Sequence, residues 1–205
     1  FEGIALFKNI RNATIKNINI AETDNNATKL VNIFAQKQTN VVKSSLIAME
    51  ANNSTLTNVS LSKLTLVFEG QGVLQSTAYI GGLVGIANNT TFLGCIANVQ
   101  VEFNIDFEPN AGGVYIAAMV AYANNCKMIS SQERDSAVTF SITKTKVNKK
   151  FNSIGGVAAY FGGGSAVAEI SNVTVTIDQT VNIYANYFGG IVGNLINTNL
   201  TNCTV

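Results

Sequence analysis

Apolar and polar residues alternate with a period of two along most of this chain. "NVTVTI" sets Val173, Val175 and Ile177 against Thr174 and Thr176, and "VQVEFNI" sets Val99, Val101, Phe103 and Ile105 against Gln100, Glu102 and Asn104. "ATIKNINI" places Ile15, Ile18 and Ile20 among Lys16, Asn17 and Asn19. Such alternation, rich in β-branched residues, predicts half-buried strands. "LVNIFAQKQTNVV" comes nearest to a helical period, and its polar cluster argues against a helix. The predicted elements are short strands nearly throughout. A single proline in 205 residues fits them, because proline cannot donate to a strand ladder.

The strands recur. Gly82, Ala118, Gly156 and Gly190 are separated by 36, 38 and 34 residues, and Thr14, Thr55 and Thr91 by 41 and 36. An apolar residue follows the corner at Ile15, Leu56, Phe92 and Leu200, and another lies three further on at Ile18, Val59, Cys95, Val173 and Cys203. One such repeat cannot bury its own apolar face, whereas stacked copies bury a continuous column. The expected fold is all-β: a parallel β-helix, or β-solenoid, of about six rungs, right-handed by the default for parallel crossovers. At about 4.8 Å per rung the stack would be roughly 25–30 Å tall. Small residues (Gly81-Gly82, Ala117-Ala118, Gly155-Gly156, Gly189-Gly190) fall where the coil bends. Asn52-Asn53, Asn88-Asn89 and Asn124-Asn125 fall in register at a corner, where their amides can form a ladder. An antiparallel sandwich is the rival, but the Asn-Gly and Asp-Gly hairpin dipeptides it favours are absent.

"GLVG" (Gly82 to Gly85) and "GIVG" (Gly190 to Gly193) resemble the GLUG motif, a glycine-bounded repeat of large secreted and cell-surface proteins, adhesins among them. In that family an Asn-rich turn and a strand follow, as in "GLVGIANNTTFLGC" here. "AMVA" (Ala118 to Ala121) and "GVAA" (Gly156 to Ala159) depart from the motif, and the first two copies match it only in corner and strand. The resemblance implies a β-solenoid segment of an extracellular protein, used as stalk or adhesive module.

Composition removes several functions. Charged residues make up 12% of the chain and the net charge is +1, which leaves no nucleic-acid footprint. The one basic run, Lys144 to Lys150, reads as a solvated loop. No run of about 18 apolar residues exists to span a bilayer. Without histidine the chain lacks the commonest general base and metal ligand. Cys95, Cys126 and Cys203 form no CxxC pair, and their places in the repeat read as core packing, with no metal site expected.

Candidate chemistry is dominated by N-x-[ST]. It occurs at Asn12, Asn26, Asn52, Asn53, Asn58, Asn88, Asn89, Asn172, Asn199 and Asn202. This points to an exported glycoprotein with N-glycans on Asn12, Asn26, Asn53, Asn58, Asn89, Asn172, Asn199 and Asn202. Solenoid corners rich in Asn, followed by outward Thr and Ser, would generate the same triplets without sugars. Glu102, Asp106 and Glu108 share strand parity and form the one acidic patch that could serve a polysaccharide-active site. Glu133-Arg134-Asp135 reads as a loop with local ion pairs. The threonine rows in "TVTIDQT" and "TFSITKT" suggest an ice-binding array but do not extend to other rungs, and Gly162 to Gly164 lacks the Lys-Ser/Thr of a phosphate loop.

The chain begins at Phe1 and opens and stops within repeat-like phrases, so residues 1–205 are expected to be one solenoid domain within a longer repeat protein. The expected function is an extracellular, non-enzymatic structural or adhesive glycoprotein forming a stalk, fibre or surface coat. It would use no cofactor beyond covalent glycans, and its partners would be further rungs or copies of itself. The alternative is a carbohydrate-active β-helix.

Overall fold

The computed structural model describes residues 3–20, 28–33, 39–107, 112–145, 150–164, 168–178 and 184–205. The chain winds as a four-sided coil, and one turn shows the plan. Val84–Asn88 lies on the first sheet, Thr91–Leu93 on the second, Ile96–Phe107 on the third and Val114–Ala117 on the fourth. Each strand then pairs in parallel with its counterpart 30 to 42 residues away, as Phe92 does with Leu56 and with Met128. Every pairing among the described strands is parallel, and no described residue is helical. The β-solenoid expected from the repeat is the architecture found. Among the described strands, six layers stack on the first and second sheets and five on the third and fourth, with Asn19–Ile20 and Thr28–Ile33 sharing one layer of the third. Turns are numbered here from the first sheet, beginning at Phe7, Ala48, Val84, Val120, Ala158 and Val192.

Alternation within strands decides what faces inward. Val99, Val101, Phe103 and Ile105 are buried, while Gln100, Glu102, Asn104 and Asp106 face out. The inward residues form columns along the axis. On the second sheet the column runs Ile15, Leu56, Phe92, Met128, Ile170, Leu200. On the fourth it runs Ile80, Ile116, Ile154, Phe188. Phe68 and Phe103 stack through the third sheet at 5.6 Å, and Phe151 meets Phe103 edge-on at 5.3 Å. The segment with the nearest approach to a helical pattern is strand over Thr28–Ile33, with residues 34–38 outside the described set.

Between the fourth and first sheets the chain bends at the small-residue pairs. Gly156 N–H donates to Gly190 O at 3.0 Å, and Ala118 N–H to Gly156 O at 2.9 Å. Backbones approach so closely here that a β-carbon built on Gly82 would lie 2.0 Å from the carbonyl oxygen of Ala118. Glycine is therefore a steric requirement at Gly82, while Ala118 fills the same place one turn on between two glycines.

Candidate functional site

The corners between sheets are built by asparagine. Nine non-glycine residues adopt positive φ among those described, and all nine are Asn, between 46° and 55°. An L-residue in this left-handed conformation costs about 1–2 kcal/mol, and Asn relieves part of that by bonding locally. Asn12, Asn53, Asn89, Asn125 and Asn197 turn the chain from the first sheet to the second. Asn17, Asn58, Asn172 and Asn202 turn it from the second to the third, and Gly94 takes this place in the third turn at φ 55°.

This geometry writes most of the glycosylation triplets. Two residues after a left-handed corner the chain is in a strand with its side chain outward, where Thr or Ser is comfortable. Asn12, Asn53, Asn89, Asn172 and Asn202 are exposed, as is Asn199 on the second sheet. Asn52 and Asn88 are half-buried and bonded to each other. Asn26 lies outside the described residues. Asn58 is different: it is 9% exposed, and its amide donates to Asn17 Oδ1 and to the Glu133 carboxylate. A sugar there would have to displace that cover.

The asparagine ladder exists over two turns. Asn88 Nδ2 donates to Asn52 Oδ1 at 3.0 Å and Asn89 Nδ2 to Asn53 Oδ1 at 3.2 Å. Asn124 and Asn125 continue the column, but Asn125 Oδ1 accepts from the Gly164 N–H of the next turn instead.

The cover over Asn58 is the loop of Ser130 to Asp135, inserted at the second corner of the fourth turn. Ion pairs within Glu133-Arg134-Asp135 were the expectation, and the contacts differ. Arg134 Nε donates to Gly94 O at 2.6 Å, Ser130 Oγ to Asp135 at 2.5 Å, and Asn58 to Glu133. Neutral groups of earlier turns hold Glu133 and Arg134, and Ser130 of the loop itself holds Asp135, so the loop is a plug over the Gly94 corner.

The two described members of the acidic patch do not converge. Glu102 pairs in register with Val67 and Lys144, and Asp106 with Val73. Glu102 and Asp106 are four residues apart on one strand, about 13 Å. Glycoside cleavage asks for carboxyls roughly 5–9.5 Å apart. Another acid, Glu69, pairs beside Asn104, and Glu108 lies outside the described residues. Among the described residues no group of three or more Cys, Asp or Glu could hold a metal.

Comparison with protein-family models, curated proteins and solved structures finds no match to this chain. Function must be argued from the coil's own surfaces.

The cysteines are free and sit in repeat slots. Cys95 and Cys203 occupy the place of Ile18, Val59, Ser136 and Val173. Cys126 follows a corner asparagine, as Ser54 and Thr90 do. All three point their donor at the carbonyl two residues back, at 3.3, 2.8 and 3.0 Å. Burial pushes the thiol of Cys95 up to about 11 and that of Cys126 up to about 12. Unfolded thiols ionise near 9.0, so this part of the stability is intact below pH 9 and is lost as pH climbs toward 12. In the native protein an alkylating reagent is expected to label Cys203 alone, with Cys95 and Cys126 reacting only after unfolding, as peptide mass mapping would show.

One feature the repeat reading passed over is a tyrosine cluster. Tyr79 and Tyr115 lie on the fourth sheet, Tyr122 and Tyr160 on the first, and the rings meet across the outer angle between these sheets. The signal was present in their spacings, 36 and 38 residues, which equal the repeat.

Proposed function

We propose that this chain is an extracellular structural or adhesive module, a β-solenoid segment whose exposed corners carry N-glycans and whose end turn stacks on further β-structure. The observation carrying it is the corner geometry. Left-handed asparagines stand at regular intervals with exposed amides, and five of them head an acceptor triplet. Neighbours in one column are about 4.8 Å apart, too close for two sugars. Asn53 would therefore not be occupied together with Asn12 or Asn89, nor Asn172 together with Asn202, on one molecule.

The last turn supports the stacking half. Phe188 is 50% exposed and Leu200 46%, in columns whose inner members are wholly buried. Among the described strands, Tyr184–Gly189, Val192–Ile196 and Thr198–Thr201 each end their sheet in the same direction. Such an edge beside an apolar face is a template for another strand.

Two measurements test the proposal. After secretion from a eukaryotic cell, intact mass should fall on enzymatic removal of N-glycans, with sugars mapped to alternate members of the Asn12, Asn53, Asn89 column, to Asn172 or Asn202, and to Asn199; an unchanged mass sinks the glycoprotein reading. In sedimentation the chain should associate with rising concentration, and Leu200→Lys should weaken that. A monomer at every concentration sinks self-stacking.

A further inference from the structure

The four clustered tyrosines are not required by the fold. The same outward positions hold Lys43, Ser153 and Tyr187 in other turns of the fourth sheet, and Glu50, Ile86 and Asn194 in other turns of the first. Tyr122 and Tyr160 lie flat on each other, with centroids 4.3 Å apart and planes 6° from parallel. Tyr79 and Tyr115 stack less closely, at 5.3 Å and 16°. Tyr122 also meets Tyr79 and Tyr115 edge-on, at 5.7 and 6.1 Å. All four rings are partly exposed.

We propose that Tyr122 and Tyr160 form a site of dityrosine cross-linking, which hydrogen peroxide and a peroxidase would convert into a covalent staple between the fourth and fifth turns. Each phenol gives up one electron and its hydroxyl proton, and the pair together reduces one peroxide to two waters. The two phenoxyl radicals join through the ring carbons ortho to oxygen. That bond first forms between π faces, and a flat stack of nearly parallel rings offers the carbons along this direction. Each joined carbon then loses its hydrogen as a proton while each oxygen regains one. Two phenols are restored, and the protein has lost two hydrogens in all. The partial exposure of both rings leaves them room to swing from stacked to side by side.

Competition at this site is limited. The chain has no tryptophan, and Cys95 and Cys126 are buried away from an oxidant. Burial, then the neighbouring Tyr160, pushes the Tyr122 phenol up to about 12, so it meets the oxidant protonated and sheds proton and electron together. The proposal is independent of glycans and of end stacking.

The test treats dilute full-length chain with a haem peroxidase and peroxide. Expected are dityrosine fluorescence, a loss of two hydrogens in the monomer's mass, and a cross-linked peptide pair containing Tyr122 and Tyr160. Held in register, the pair should couple at least about tenfold more than the same chain in denaturant. Tyr160→Phe keeps the ring and should abolish this product, whereas Tyr115→Phe should retain it. An absent product, links found only between chains, equal yield in denaturant, or a Tyr160→Phe product unchanged would each overturn the proposal.

Discussion

Phe92→Ala is expected to destabilise the protein by about 3–5 kcal/mol, the range for removing a fully buried aromatic ring from a packed interior. Phe92 has no exposed surface and is held between Leu56 and Met128 of the adjoining turns, so neither neighbour can collapse into the space without breaking its own register. The reading is the urea midpoint, which should fall while the slope stays constant. Leu200→Ala gives the internal comparison: the same column, but 46% exposed, with an expected loss of about 1 kcal/mol. Equal effects at the two positions would mean that the column does not exist.

Gly82→Val should be nearly as damaging, at about 3 kcal/mol. The obstruction is a backbone carbonyl, that of Ala118, 2.0 Å from the added β-carbon, and Val99 Cγ2 lies 2.6 Å away on another side. A flexible side chain could rotate aside; a backbone carbonyl flanked by the bonded carbonyls of Ala117 and Met119 cannot. Along this bend Gly82 faces Ala118, which in turn faces Gly156, so a methyl on one turn is matched by its absence on both neighbours. Gly164→Ala is the control, since its β-carbon would meet nothing nearer than 3.5 Å. A thermal melt showing Gly82→Val no worse than Gly164→Ala would contradict the close approach of turns.

The coil was legible because its period is long and its slots are strict. Ile18, Val59, Cys95, Val173 and Cys203 share one register position in both sequence and structure. Leu56 and Phe92, and Gly156 and Gly190, do lie against each other. Features that depend on contacts outside the period were harder to see. The burial of Asn58 comes from Glu133, 75 residues away in an insertion that no repeat copy shares. The asparagine ladder was expected through three copies but joins only two of them, and at the third Asn125 presents its Oδ1 to the Gly164 N–H of the next turn. The tyrosine pairs did follow the period. Their significance needed the outer angle between two sheets, which brings Tyr79 beside Tyr122 and which alternation along a strand does not reveal.

The bonds between turns run along the stacking axis on all four sides, and this sets how the molecule would respond to load. Bending and compression act on the whole cross-section at once, so the coil resists them as a solid post. A pull between its two ends works on one turn's ladder at a time. Each turn set free pays out its 36 or so residues, about 120 Å of slack for roughly 5 Å of height surrendered. Under tension the protein is a reel, giving length in instalments while the turns still wound keep their shape.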